Sequence, residues 1–181
     1  MENSSEPIDI IELDIQKIAW QNLFWTLFLM VIFIVINGFI HRDFAFHISF
    51  LSFLLFFILY IVLIVSHEIC HLIGFLLFGR VPISSLKYGV NLKMGVAYAT
   101  TTKPLHNKAM KKALLLPFWL TGVIPAVVGF MINSNLWLSL GAWLIAGAIG
   151  DFAMYAKLRK FPKDYFIQDD PNLPKLYIYK T

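Results

Sequence analysis

Four long apolar segments constrain the fold of this chain more than any other feature. A transmembrane helix needs about 20 mostly apolar residues, because each helical residue advances the chain by about 1.5 Å. The four segments cover residues 20–40, 48–79, 113–132 and 136–158. Backbone groups inside a bilayer can hydrogen-bond only to protein, which favours helices in segments of this kind. The sequence therefore predicts an all-α membrane protein with four transmembrane helices.

The composition supports this class. Of the 181 residues, 59% are hydrophobic and 14% are charged, whereas soluble domains carry about 25% charged residues. The net charge of +4 does not indicate a nucleic-acid partner, because the lysines and arginines flank the apolar segments and form no basic tract. We expect a single integral membrane domain over residues 1–181, with the lipid bilayer as its surroundings.

Two of the predicted spans are irregular. The second, at 48–79, is longer than one bilayer crossing, so it must tilt, break or protrude. The third contains Pro117 and Pro125. Prolines within spans free carbonyl groups that need partners, so we expect this segment to face packed protein or a water-filled cavity.

The distribution of positive charge predicts the orientation. Only Arg42 of the 15 lysines and arginines falls in the connection between the first two spans. Cytoplasmic connections of membrane proteins are enriched in lysine and arginine. We therefore predict a multi-pass protein of the cell membrane in which both termini, the 80–112 connection and the 159–181 tail are cytoplasmic.

The 80–112 connection is too polar to span a membrane, yet it is patterned. Residues 83–92 and 94–102 are rich in β-branched and aromatic types, with glycine and asparagine as turn formers. This pattern predicts a β-hairpin, or a pair of short strands, at the membrane surface between the second and third helices. Another strand-like stretch occurs in the tail at 176–179.

An H-E-x-x-H motif, His67-Glu68-Ile69-Cys70-His71, lies inside the second apolar segment. Positions i and i+4 share one helix face, so His67 and His71 can bind one metal ion. Glu68 lies beside them, where its carboxylate can take a proton from metal-activated water. Ionisable groups in a membrane are costly unless they are compensated, and zinc is the ion that this donor set favours. The motif is also compatible with another divalent ion.

A catalytic zinc ion typically takes three protein ligands and one water. Asp151 is the only acidic residue in the fourth predicted span, and the helical rise puts it at a depth similar to that of His71. Gly147 and Gly150 are expected to let this helix approach the second span closely. We therefore predict Asp151 as the third ligand, with His106 in the polar connection as its rival.

With these residues the chain resembles the DUF3267 family of zincin peptidases. The resemblance extends from about Ser66 into the tail, and it rests on the H-E-x-x-H motif, Pro117, Gly150-Asp151 and the segment 158–164. More distantly, the chain is similar to the site-2 protease class, whose three-helix core carries H-E-x-x-H on one helix and a ligating aspartate on the third. That class has asparagine and proline ahead of an Asp-Gly pair, whereas Phe152 follows Asp151 here. The resemblance therefore assigns no residue that orients the substrate.

Motif and resemblance together imply an intramembrane zinc metallopeptidase of the site-2 protease type. The expected substrate is a membrane protein or peptide, cleaved near the cytoplasmic leaflet. Glu68 would be the catalytic base, and His67, His71 and Asp151 would bind Zn²⁺. Three alternatives stay open: a non-catalytic metal-binding membrane module, a small ion transporter, and hydrolysis of a non-peptide substrate such as a lipid amide. Transport is disfavoured because the sequence has no internal repeat.

Overall fold

The computed structural model describes residues 6–44, 49–91, 96–170 and 173–180. Within this part of the chain, four helices are long and apolar enough to cross a membrane, as predicted. They are Ile15–His41, Phe50–Gly79, Asn107–Met131 and Asn135–Leu158. Residue 48, the predicted start of the second span, lies outside the described residues.

Two of these helices are continuous and two are interrupted. Helices α1 and α2 are the continuous ones, at Ile15–His41 and Phe50–Gly79. The third span consists of α3 (Asn107–Pro117), a π-helical segment (Phe118–Val123) and α4 (Ile124–Met131). Proline has no N–H group, so Pro117 and Pro125 cannot donate to the carbonyls four residues earlier, and the chain widens into a π turn between them. The fourth span consists of α5 (Asn135–Gly147) and α6 (Ile149–Leu158).

The described residues also form two antiparallel sheets. A 3₁₀ turn at Ile83–Ser85 leads into the hairpin pair, β2 (Leu86–Asn91) and β3 (Val96–Thr101). The second sheet has four strands in the order β1-β6-β5-β4, which are Asp9–Glu12, Lys175–Tyr179, Phe166–Asp169 and Leu105–His106. The β2–β3 pairing agrees with the predicted hairpin, and its turn residues 92–95 lie outside the described residues.

The all-α prediction was therefore incomplete. Strand β6 coincides with the strand-like stretch predicted at 176–179, but the sequence pattern does not indicate β1 or β5. Both are four residues long, which is too short for a periodicity of two to be distinctive. They are stabilised by pairing with β6, a partner whose register is not visible in the local sequence.

The chain divides into two compact units, one formed by residues 1–14, 68–116 and 150–181, the other by 15–67 and 117–149. The first unit has a hydrophobic core built on one face of the four-stranded sheet. The buried side chains of this core come from the sheet, from the end of α2 and the residue Val81 just after it, and from α3 and α6: Ile11, Phe75, Val81, Leu105, Met110, Ala113, Leu114, Leu158, Ile167, Leu176 and Ile178.

Close helix contacts in both units are made at glycine. In the second unit, a Cβ added to Gly141 would lie 2.7 Å from the backbone of Ala126, and one added to Gly129 would lie 2.6 Å from the Leu138 nitrogen. In the first unit, a Cβ on Gly74 would lie 2.7 Å from the Ala113 Cα. Small residues permit such approaches between apolar helices.

The predicted role of Gly147 and Gly150 in close helix approach is wrong. A Cβ added to Gly147 would meet nothing within 4 Å, and one added to Gly150 would reach only the Leu13 side chain at 3.9 Å. The close approach belongs to Gly74 on α2, which lies three residues after His71 and packs against α3.

Candidate metal centre

Helix α2 carries both histidines of the H-E-x-x-H motif in its C-terminal half. Because α2 is continuous from Phe50 to Gly79, His67 and His71 lie one turn apart on the same helix face. Both belong to the buried polar residues, with 9% and 7% of their surface exposed. Buried imidazoles need partners for their ring nitrogens, and each histidine has one.

The partner of His71 is a carbonyl that a proline has released. In a regular helix the Ala113 oxygen would accept the N–H of residue 117, but Pro117 has none. The Ala113 oxygen instead lies 3.1 Å from the His71 Nδ1 atom. A carbonyl can only accept, so Nδ1 carries a proton, and in the neutral imidazole the Nε2 atom then presents its lone pair.

The partner of His67 is the Thr121 hydroxyl, in the π-helical segment. Thr121 Oγ1 donates its only proton to the Pro117 oxygen at 2.8 Å. The Thr121 Oγ1 atom also lies 3.2 Å from the His67 Nδ1 atom, so it must accept the proton of that nitrogen. As a neutral imidazole, His67 is therefore held in the same tautomer as His71, with the Nε2 lone pair available to a metal. Metal-binding histidines usually donate their second ring N–H to an oxygen in this way.

Asp151, in the first turn of α6, lies against His71. The His71 Nε2 and Asp151 Oδ1 atoms are 3.4 Å apart. His67, His71 and Asp151 each offer one potential ligand atom, and these atoms all lie within 4.8 Å of one another. They are the three residues predicted as metal ligands.

This donor set fits a zinc ion. An unprotonated nitrogen facing a carboxylate oxygen is repulsive unless a proton or a metal cation lies between them. Two ligands of a tetrahedral zinc ion with bonds of about 2.0–2.1 Å are about 3.3 Å apart, which is close to the separation of Nε2 and Oδ1. Two imidazoles and one carboxylate also leave a fourth position for water, as in catalytic zinc sites.

Glu68 follows His67 directly on α2 and is partly buried. It lies close enough to His71 to interact with it electrostatically. The motif therefore brings a second carboxylate to the histidines. Its predicted role as a base stays a prediction.

The rival ligand His106 is not part of this group. Its Nδ1 atom lies 2.9 Å from the Asp164 backbone oxygen, and its ring packs on Phe166 at a centroid distance of 4.4 Å. Among the described residues, His67, His71 and Asp151 form the group of His, Cys, Asp and Glu side chains that is close enough to bind a metal. The remaining motif residue, Cys70, is buried.

A further acidic residue near the motif, Asp169, was not predicted. Asp169 ends β5. The surrounding protein shields its carboxyl group from water and raises its pKa to about 7, although the Thr100 hydroxyl and the charge of His71 each lower that pKa. The adjacent pair Asp169 and Asp170 is visible in the sequence, but only the strand register shows which of the two faces the core. Thr121 was also not predicted, because a threonine in an apolar span is ordinary and its contact with His67 depends on the π turn.

The fold and the site together define a class: a mostly helical protein with four helices able to cross a membrane, two small sheets and a His-His-Asp group able to bind a metal. Comparison with known families agrees with this class. The model of DUF3267, described as "Putative zincin peptidase", matches residues 60–166, which is more than half of the chain. The chain belongs to the DUF3267 family. No curated protein and no solved structure matches it.

Proposed function

We propose that this protein is a membrane-embedded zinc metallopeptidase that hydrolyses a peptide bond of a membrane-associated substrate near the cytoplasmic leaflet. The observation that carries the proposal is the close grouping of His67, His71 and Asp151 on helices long enough to cross a membrane. The description of the family as zincin peptidases supports a metallopeptidase. The intramembrane, site-2-protease-like type is our extension of it.

The chemistry divides between the metal and the chain. Zinc bound by His67, His71 and Asp151 would polarise the substrate carbonyl and lower the pKa of water towards about 7. Glu68 would accept a proton from the attacking water and pass it to the departing amine. Thr121 and the Ala113 carbonyl would hold the two imidazoles in the tautomer that leaves Nε2 available.

The hairpin suggests how a peptide could bind. Strand β2 is paired with β3 on one side, and on its other side it has no partner strand among the described residues. An extended substrate segment could add to this edge through backbone hydrogen bonds, which suits a peptide more than a lipid amide. Tyr88 and Val90, 76% and 63% exposed, would offer apolar contacts beside it.

Substitution of Glu68 tests the catalytic claim. Glu68→Gln removes the base but none of the three proposed ligands, so the variant should retain zinc and lose cleavage of a transmembrane peptide in detergent. His67→Ala should lose both, and His106→Ala serves as the control that retains both. Proton transfer by a positioned base contributes about 10²–10⁴-fold to the rate, so the loss is measurable.

Other outcomes would favour the alternatives. Zinc binding without peptide cleavage in the wild-type protein would indicate a non-catalytic metal module. Zinc-dependent ion flux in liposomes would indicate a transporter, and cleavage of a lipid amide but no peptide would redirect the substrate class. Full activity of Glu68→Gln would remove Glu68 from the mechanism.

A further inference from the structure

Asp169 occupies a core-facing position of the four-stranded sheet. Residues paired across antiparallel strands share a sheet face, and so do alternate residues along one strand. Asp169 pairs with Leu176, and Ile167 pairs with Ile178. These three apolar residues are at most 1% exposed and belong to the core. Asp169 therefore places a carboxylate on an otherwise apolar face.

This face of the sheet shares its hydrophobic core with the turn of α2 that follows His71. Phe75, one turn after His71 on α2, belongs to the same core as Ile167 and Leu176. Its ring stacks on the His71 ring, with a centroid distance of 6.4 Å and an interplanar angle of 18°. The electrostatic interaction between Asp169 and His71 is consistent with this arrangement.

No lysine or arginine within the described part of the chain forms an ion pair with Asp169. An ionised carboxylate that is shielded from water and lacks a cationic partner destabilises a folded protein. The raised pKa of Asp169, which burial causes, is the expected response in the metal-free chain. The Thr100 hydroxyl and the Asp170 backbone favour the ionised form of Asp169, and a metal ion held at His71 would add the cation that this carboxylate lacks.

We propose that Asp169 is a positioning residue whose negative charge strengthens metal binding at His67, His71 and Asp151. The inference rests on the proposed metallopeptidase function, but it concerns metal affinity rather than cleavage. Glu68, Asp151 and Asp169 provide three negative charges around two neutral imidazoles. A divalent cation offsets two of these charges, so each carboxylate favours its binding through Coulomb attraction in a poorly solvated site.

Asp169→Asn keeps the side-chain shape and removes the charge. The proposal predicts that it lowers zinc affinity but raises the stability of the metal-free protein. Zinc affinity should fall about tenfold, at the low end of the loss seen when residues behind metal ligands are changed. The metal-free protein should become more stable at pH 8, because the wild-type carboxylate is ionised there and the amide is not. A residue that only supports the fold would lower stability as well as affinity.

Asp170→Asn is the matched control. Asp170 is the next acidic residue along the chain, but it accepts hydrogen bonds from the Tyr177 hydroxyl and the Leu173 N–H, at 2.8 and 3.0 Å. It is therefore anchored locally, and its substitution should change zinc affinity less than twofold. Zinc affinity is measured on the full-length protein in detergent by competition with a chelating dye. Stability of the chelator-treated protein is measured by thermal unfolding at pH 8.

Each outcome decides the proposal. Lower zinc affinity together with a higher unfolding temperature, seen only in Asp169→Asn, supports it. Unchanged affinity, equal losses in both variants, or an Asp169→Asn protein that unfolds more readily without metal would overturn it. If the wild-type protein binds no zinc, the proposed function fails as well. If the wild-type protein binds zinc and Asp169→Asn binds it equally well, only the role of Asp169 fails.

Discussion

At the scale of single residues, the environment of each histidine determines which nitrogen a metal can use. The Ala113 carbonyl and the Thr121 hydroxyl hold the Nδ1 protons of His71 and His67. Both acceptors are linked to Pro117: it has no N–H group for the Ala113 oxygen, and its carbonyl accepts the Thr121 proton. The broken third span thus orients groups that belong to the second.

Substitution of Thr121 tests this orientation. Thr121→Val keeps the shape of the side chain but leaves the His67 Nδ1–H without its acceptor, so we expect zinc affinity to fall about tenfold. Thr121→Ser retains the hydroxyl and should bind zinc as the wild type does. Equal affinities of the valine and serine variants, measured by chelator competition, would show that the hydroxyl does not orient His67.

The sequence predicts the residues of the candidate site that are chemically conspicuous. His67, Glu68, His71 and Asp151 stand out because ionisable groups are rare and costly inside apolar segments. Thr121 and Asp169 do not stand out, since a threonine in a span or an aspartate in a tail is ordinary. Their positions depend on the π turn and on the register of β5 against β6, which no local pattern encodes.

At the scale of elements, the contact between α2 and α3 sets the position of His71. A Cβ on Gly74 would lie 2.7 Å from the Ala113 Cα, closer than two such atoms can approach. Because Ala113 also provides the acceptor for His71, the same contact fixes both helix spacing and the imidazole orientation.

We therefore predict that Gly74→Ala pushes α3 away from α2. Overpacking of this kind costs about 1–3 kcal/mol, and separation of Ala113 from His71 should weaken zinc binding as well. The control is Gly147→Ala, because a Cβ there meets nothing within 4 Å. Thermal unfolding and zinc titration of both variants check the prediction. A Gly74→Ala protein as stable as Gly147→Ala would mean that the helices do not meet as described.

Elements differ in how far the sequence predicts them. The four long helices follow from apolar segments of spanning length, and the hairpin follows from β-branched patterning in a polar connection. The four-stranded sheet does not follow, because β1 and β6 are separated by most of the chain and their pairing is not visible in the local sequence of either strand. Tertiary pairing, rather than local propensity, determines these short strands.

At the scale of the whole molecule, the charge asymmetry predicts the orientation in the membrane. Arg42 follows α1, and the other lysines and arginines lie in the first turn of α1 (Lys17), in the 80–112 connection or from residue 157 onwards. The positive-inside rule assigns the basic side to the cytoplasm, so the proposed site would lie near the cytoplasmic leaflet.

Cysteine labelling tests this orientation, because Cys70 is the only cysteine. In a Cys70→Ala background, Arg42→Cys should react with a membrane-impermeant thiol reagent in intact cells. Lys103→Cys, in the exposed part of the opposite connection, should react only after the membrane is opened. The reverse pattern of labelling would invert the topology and move the proposed site to the outer leaflet.

The central claim is that three side chains from two helices, α2 and α6, bind one divalent ion, and zinc content measures it most directly. The purified wild-type protein should contain about one zinc ion per chain, as expected for a single site with three protein ligands. His71→Ala and Asp151→Ala should contain almost none, and His106→Ala should match the wild type. A wild-type protein without zinc, or an Asp151→Ala variant that retains it at wild-type affinity, would contradict the account.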